Sequence, residues 1–220
     1  MKELIKTVDW NLSKTNKKKF IDEIRDAFHN VGCVAIINHP VNMDNMNENQ
    51  EFLNGFLNNI RGHYTEISMP GNQMHSLFLQ FRSMYIALLK LLAQSLDSKP
   101  THFVEKMSDY DLTYRFSEQP ISCASLLTIL SPKSEFQIWN REKYVDVQLE
   151  PNAVLVCVGE ILEYITSGFY QSAIYIIDDQ LVQQFSGLLN HGASIETCPN
   201  YRWLNQKSVV YKTVGDFLKK

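Results

Sequence analysis

The fold is decided by the stretch PNAVLVCVGEILEYITSGFYQS, residues 151–172. Its turn-forming pair Pro151-Asn152 precedes Val154–Val158, an apolar run that is rich in β-branched residues and has the length of a buried strand. The next residues predict a short helix at Glu160–Ile165, and Gly168 marks a second turn. The stretch therefore predicts a buried strand and a short helix between two turns.

Short β-rich runs lie on both sides of this stretch. They are Leu112–Phe116, Ser125–Leu130, Phe136–Trp139, Tyr144–Leu149, Ser172–Ile177, Phe185–Leu189 and Val209–Tyr211. Turn residues separate them at short intervals, among them Pro132, Asn140 and Gly192. Many short strands with frequent turns are typical of a sandwich or a barrel.

The amino-terminal half is mainly helical. Apolar residues spaced along one face predict helices at Asn16–Val31, Met43–Ile60 and Ser76–Leu96, the first capped by Ser13 or Thr15. A short apolar run at Cys33–Ile37 predicts a strand between the first two helices. We therefore expect an α+β fold in one domain of residues 1–220, with a mainly helical flank at 1–111 and the strand-rich core at 112–220.

Composition excludes several classes of protein. The 220 residues are 45% hydrophobic and 20% charged, which excludes a disordered chain. A net charge of −3 argues against a general nucleic-acid binder. No run of about 18 apolar residues and no signal peptide is present, so we expect a cytoplasmic protein that makes no membrane contact. The four cysteines form no CxxC motif and are expected to be buried free thiols, as in a reducing compartment.

Several motifs resemble a known family in both order and spacing. PNAVLVCVGEIL at 151–162 resembles the "PGALVVNxGDxL" segment of the isopenicillin N synthase-like Fe(II)/2-oxoglutarate dioxygenases, and TSGFYQS at 166–172 resembles their "TNGxYxS". AFHNVGCVAIINHPV at 27–41 is similar to their "AxxxxGFFxVxNHGV", which makes His39 a structural turn residue. The resemblance implies a double-stranded β-helix, or jelly roll, flanked by helices.

The resemblance also locates an iron site whose ligands are missing. The family binds Fe(II) through His-x-Asp and a distant His, which leave coordination positions open for oxygen and the cosubstrate. Counting back from the LTIL run at 127–130 aligns the first two ligands with Ile121 and Cys123, and the distant His aligns with Tyr175. Isoleucine cannot donate an electron pair, and no histidine lies between His102 and His191.

The cosubstrate positions differ in the same way. The family's Arg-x-Ser, which binds the distal carboxylate of 2-oxoglutarate, corresponds to Gln184 and Ser186, and the tyrosine of its Asn-x-Tyr-Pro corresponds to Gln119. An amide hydrogen bond contributes about 0.5–1.5 kcal/mol, whereas a buried carboxylate that loses its arginine costs about 3–5 kcal/mol. We therefore expect neither Fe(II) nor 2-oxoglutarate as a cofactor, and no catalysis of the family's kind.

Three interpretations of the replaced residues stay open. In the first, hydrophobic side chains fill the old cavity; in the second, the cavity persists as an apolar pocket for a small ligand. Alternatively, Cys123 and Tyr175 form a rebuilt metal site, because thiolate and phenolate are both competent ligands. The corresponding functions are a non-catalytic protein that binds an apolar small molecule or another protein, and an oxidoreductase with a non-standard metal or cosubstrate site.

Overall fold

The computed structural model describes residues 5–44, 72–107, 112–117, 125–131, 136–140, 142–177, 182–195 and 211–219. Its helices are α1 (Leu12–Thr15), α2 (Lys17–Asn30), α3 (Asn72–Ser95), α4 (Glu160–Ile165) and α5 (Val214–Phe217), with a 3-10 turn at Val104–Lys106. Its strands are β1 (Thr7–Asp9), β2 (Cys33–Ile37), β3 (Leu112–Ser117), β4 (Leu127–Ser131), β5 (Phe136–Trp139), β6 (Tyr144–Val147), β7 (Val154–Val158), β8 (Tyr175–Ile177) and β9 (Val182–Gly187).

The strands form a large and a small sheet. The six-stranded sheet has the order β1-β2-β7-β4-β9-β3, and all of its neighbours are antiparallel except β1 and β2. The three-stranded sheet has the antiparallel order β6-β5-β8. Residues from both sheets, including Leu130, Leu155, Phe136 and Ile138, pack in one buried cluster. The sheets therefore face each other across a shared interior, as expected for a jelly roll in an α+β fold.

Alternation along the strands divides the core into two clusters. In the large sheet, side chains of one parity point into the jelly roll, and those of the other parity pack against the helices. In β9, for example, Phe185 lies on the helix side and stacks on Phe81 of α3 with ring centroids 5.6 Å apart. The adjacent Gln184 and Ser186 have the opposite parity and point into the interior.

Helix α3 is the core helix of the helical layer. Its window Ser76–Ser95 has a mean hydropathy of 1.3 and is long enough to cross a membrane, the one such helix within the described ranges. Its apolar residues have another role, because Leu77, Phe81 and Leu88 are buried against the large sheet and α2. The buried Tyr85 of the same helix donates its hydroxyl hydrogen to the carbonyls of Leu127 and Gly187 at 3.2 and 3.1 Å.

The expected elements are present with corrected ends. Cys33–Ile37, Phe136–Trp139, Val154–Val158 and Glu160–Ile165 match the expectation residue for residue. The cap of α2 was wrong: Asn16 accepts from the Lys19 amide at 3.1 Å, because Ser13 and Thr15 belong to α1.

Several strand ends were wrong by two or three residues. Strands β8 and β9 begin at Tyr175 and Val182, where the sequence predicted Ser172 and Phe185, and β6 ends at Val147 and not at Leu149. The expected strand Val209–Tyr211 is partly outside the described residues, and Tyr211 is in no strand. Most of the expected helix Met43–Ile60 also lies outside the described residues.

Candidate functional site

The candidate site is the interior face of the large sheet. Two adjacent rows of residues cross this face from β9 to β2, as the strand registers show. The first row is Ser186, Thr128, Cys157 and Cys33, and the second is Gln184, Leu130, Leu155 and Ala35. The polar side chains lie at the β9 and β4 end of the rows, whereas the β7 and β2 end is apolar.

Gln184 is the most unusual residue of this face. Its side chain is 0% exposed, and neither its amide nitrogen nor its amide oxygen has a hydrogen-bond partner among the described residues. A buried polar group without a partner costs roughly 1–3 kcal/mol. A neutral amide that no described residue satisfies therefore occupies the position that the resemblance aligns with the carboxylate-binding arginine.

Hydroxyl groups complete the polar end of the site. Ser186 and Thr128 are directly opposed on neighbouring strands and are 3% and 4% exposed. The hydroxyl oxygens of Thr128 and Ser125 lie 3.1 Å apart in a hydrogen bond. These groups are uncharged at any physiological pH, so they offer hydrogen bonds without offering charge.

The thiols at the other end of the row are chemically inert. Cys33 and Cys157 are cross-strand partners and both are buried free cysteines. Desolvation raises the pKa of the Cys33 thiol to about 12. Desolvation, followed by the electrostatic interaction with Cys33, also raises the pKa of Cys157 well above its ordinary value. Both thiols are therefore held in the neutral form, whereas the thiolate is the form that acts as a nucleophile and a metal ligand.

Tyr175 is the one candidate iron position that the structure describes. It begins β8, pairs with Ile138 of β5, and is half-buried against the interior cluster. Ile121, Cys123 and Gln119 lie outside the described residues, so their places in the site remain predictions. The structure thus brings Gln184 and Ser186 together on one face and puts Tyr175 on the opposing sheet.

A cationic residue that sequence reasoning missed lies next to Gln184. Arg115 of β3 is the direct cross-strand partner of Gln184. The two backbone positions are therefore direct neighbours in the register of the large sheet. Only the pairing of β3 with β9 reveals this, because the partners are far apart in the chain and no local pattern links them.

His39 lies away from the interior, in the turn after β2. Its Nε2 is 2.9 Å from the carbonyl oxygen of Asn152, and its Nδ1 accepts from the backbone amide of Val41 at 3.3 Å. Desolvation lowers the pKa of His39 more than the Asn152 hydrogen bond raises it. The residue is a structural turn histidine, as expected.

Comparison with solved structures identifies the fold. A Neurospora crassa T7H in complex with α-KG and 5-formyluracil superposes with a TM-score of 0.82 at 14% identity, over 98% of this chain and 94% of that one. A rice dioxygenase for auxin oxidation gives a TM-score of 0.77 at 12% identity, over 98% and 94%. Dioxygenase for auxin oxidation 1 from Arabidopsis thaliana, in its 2-oxoglutarate complex, gives 0.63 at 15% identity, over 84% and 92%.

The likeness lies in the fold and not in the sequence. No protein-family model matches the chain, and no curated protein matches it in sequence. The structural similarity nevertheless covers nearly the whole chain. The molecule therefore has the jelly-roll fold of the 2-oxoglutarate/Fe(II) oxygenases.

The described donor atoms do not fit the cofactors of that fold. The resemblance implies imidazole and carboxylate ligands for iron, whereas the one aligned iron position among the described residues carries the phenol of Tyr175. Within the described ranges, no three His, Cys, Asp or Glu side chains are grouped closely enough to hold a metal ion. A buried neutral amide is also a poor match for the distal carboxylate of 2-oxoglutarate.

Proposed function

We propose that this chain uses the 2-oxoglutarate/Fe(II) oxygenase fold as a binding scaffold and does not catalyse the oxygenase reaction. The observation that carries the proposal is the fully buried Gln184, whose amide has no partner among the described residues. It lies where the resemblance places an arginine, and the aligned iron positions carry Ile121, Cys123 and Tyr175. Replacement of the aligned residues at both the iron site and the cosubstrate site supports the loss of the oxygenase reaction.

The chemistry of the interior favours an uncharged ligand. The described polar groups of its two rows are the amide of Gln184 and the hydroxyls of Thr128 and Ser186, and the remainder of the two rows is apolar. A ligand carboxylate beside Gln184 would exchange its hydration for a single neutral hydrogen-bond donor, so its burial would be unfavourable. We therefore propose a small, largely apolar ligand that presents one polar group to Gln184.

The test measures ligand linkage and turnover together. At a concentration of 100 Kd, a ligand adds about 2.7 kcal/mol to the free energy of unfolding, or roughly 5–10 °C in Tm for a chain of this size. We expect Fe(II) plus 2-oxoglutarate to shift Tm by less than about 1 °C, within the error of such melts. We also expect no succinate to form. A shift of several degrees, or succinate above the no-protein background, would contradict the proposal.

A second candidate function is an oxidoreductase with a rebuilt site. The register that places Arg115 opposite Gln184 favours it, since an arginine on the neighbouring strand is the cation that a relocated carboxylate site requires. Cys123 and Tyr175 would supply thiolate and phenolate at two of the aligned iron positions.

Two substitutions separate the second candidate from the first. If the site is rebuilt, a 2-oxoglutarate-induced rise in Tm exists and Arg115→Gln removes it. Elemental analysis would then find iron or another transition metal bound, and Cys123→Ala would lower its amount. If neither the rise nor the metal is found in the unsubstituted protein, the second candidate fails.

The proposal also includes a protein as a candidate binding partner and the cytoplasm as the compartment. The outer faces of the jelly roll offer surface for a protein partner, which a pull-down followed by gel filtration tests. The net charge of −3 supports the expectation that nucleic acid is not a partner. The free thiols Cys33 and Cys157 support a reducing compartment, and we propose the cytoplasm.

A further inference from the structure

A cleft of about 460 Å³ opens on the outside of the molecule. It lies where the carboxyl end of α2, the end of β5, helix α4 and the segment that leads into β8 meet, and Asn30, Trp139, Glu163, Gln171 and Ile174 line it. Ile138 points into the jelly roll, so its neighbour Trp139 points to the opposite, outer side of the small sheet. The cleft is therefore separate from the interior site, and its volume is in the range of small-molecule pockets.

Backbone contacts hold the walls of the cleft in place. The segment 171–174 is bonded to three elements: Gln171 N to Phe28 O at 3.3 Å, Ala173 N to Val158 O at 3.3 Å, and Trp139 N to Ile174 O at 2.9 Å. Gly32, with a φ of +83°, lets this segment approach so closely that a Cβ there would lie 2.2 Å from the Gln171 carbonyl oxygen. The cleft is thus preformed and needs no rearrangement to accept a ligand.

One wall of the cleft is apolar and partly open to water. Ile174 is 54% exposed, and the partly exposed indole of Trp139 lies beside it. Tyr144 packs edge-on against the indole, with ring centroids 5.1 Å apart, which fixes the orientation of the Trp139 ring. A fixed aromatic ring in a cleft gains free energy when a flat apolar surface covers it.

The other wall carries hydrogen-bonding groups and a single formal charge. Glu163 accepts a hydrogen bond from the Ser172 hydroxyl at 2.5 Å, so its carboxylate is oriented. Asn30 donates to the Asp26 carbonyl at 2.8 Å, and the Gln171 amide lines the cleft beside it. Amides, a hydroxyl and a carboxylate together offer both donors and acceptors. The carboxylate disfavours an anion, and a neutral ligand that both donates and accepts hydrogen bonds matches the whole set of groups.

We propose that this cleft binds a saccharide. A sugar ring has one face of C–H groups, which would pack on Trp139, and a rim of hydroxyls that donate and accept, as Glu163 and Gln171 require. These contacts require no reactive side chain, so the proposed site is a binding site and not a catalytic one. The proposal is independent of what the jelly-roll interior binds.

The test is a titration of the full chain with free sugars. Glucose, galactose, mannose, N-acetylglucosamine, maltose and cellobiose are added to about 10 mM, a concentration that detects millimolar Kd values, and binding is followed by saturation-transfer NMR. We expect at least one sugar to bind, and we expect Trp139→Ala and Gln171→Ala each to weaken it about tenfold or more. Ile176→Ala, on the same outer face of the small sheet but outside the cleft, should leave Kd unchanged.

Three results would overturn the proposal. The first is that none of the sugars binds. The second is that sugar binding persists unchanged in both Trp139→Ala and Gln171→Ala, provided that their thermal melts show a folded chain. The third is that choline binds in place of sugars and Glu163→Gln abolishes this binding, which would identify the cleft as a cation site.

Discussion

At the scale of single residues, Gln184 shows that this interior is not optimised for stability. A buried amide with no partner in the described part of the chain is retained where an apolar side chain of similar volume would fit the neighbouring Leu130 and Leu155. Natural sequences keep such costs mainly where a function requires the polar group. The residue therefore directs attention to the ligand that would satisfy it.

Replacing that amide tests its cost directly. We expect Gln184→Met to raise the free energy of unfolding by about 1 kcal/mol, because it removes an unsatisfied polar group and keeps the volume. The matched control is Gln137→Met in β5, whose amide donates to Asp146 at 2.7 Å, and it should lower stability slightly. Urea denaturation measures both changes. A loss of more than about 1 kcal/mol in Gln184→Met would show that the amide has a partner.

His39 makes stability depend on pH in a definite direction. Its pKa is lowered from 6.5 in the folded chain, so the folded state prefers the neutral ring. The contribution of the neutral ring to the free energy of unfolding is complete above pH 6.5. It is lost as the pH falls below 6.5 and passes through the lowered pKa of His39 in the folded chain. Protonation would put a hydrogen on Nδ1, where the Val41 amide already donates.

We expect His39→Gln to reduce this pH dependence. The measurement is the free energy of unfolding from pH 8 to pH 5, and the variant should show a shallower decline below pH 6.5 than the unsubstituted chain. Some decline will remain, because desolvation also lowers the pKa of His102. Parallel curves for the two proteins would mean that His39 does not contribute.

At the scale of elements, sequence patterns predict interiors better than ends. The runs that form β2, β5 and β7 are bounded by turn residues, so their limits are local properties of the sequence. Strand β9 begins instead with Val182 and the polar pair Gln183-Gln184, which join the sheet because β3 and β4 pair with this segment. Pairing between distant segments also puts Arg115 opposite Gln184, which no local pattern encodes.

Helix α3 is also held against the large sheet by contacts between residues that are distant in the sequence. Tyr85 joins α3 to β4 and β9 through its hydroxyl, and its ring packs edge-on against Phe185 at 5.6 Å. We expect Tyr85→Phe to keep the ring packing and to cost about 1 kcal/mol of unfolding free energy. The control is Tyr144→Phe, where a 40% exposed ring should change stability by less than about 0.5 kcal/mol. Equal effects in the two variants would contradict the role given to the Tyr85 hydroxyl.

At the scale of the whole molecule, the fold and the candidate chemistry point in different directions. The overall likeness to 2-oxoglutarate/Fe(II) oxygenases is strong, with a TM-score of 0.82 over 98% of the chain. The described residues at the positions that the fold would use for chemistry are neutral. This combination is possible because a fold is held by its packing and not by its reactive groups.

Chelation tests whether the fold is stable without a bound metal ion. If no resident metal stabilises the fold, EDTA at several millimolar should leave Tm unchanged within about 1 °C. The comparison is a melt of the same sample before and after dialysis, with metal content followed by elemental analysis. A fall in Tm that added Fe(II) or Zn²⁺ reverses would show that a metal site has been overlooked.

The facing cysteines of β2 and β7 have a practical consequence. Iodoacetamide reacts only with an accessible thiolate, so alkylation of Cys33 and Cys157 has to wait until these two strands separate. Peptide mapping of the label at these two sulfurs would therefore measure how fast β2 and β7 separate, using only cysteines that the sequence already contains.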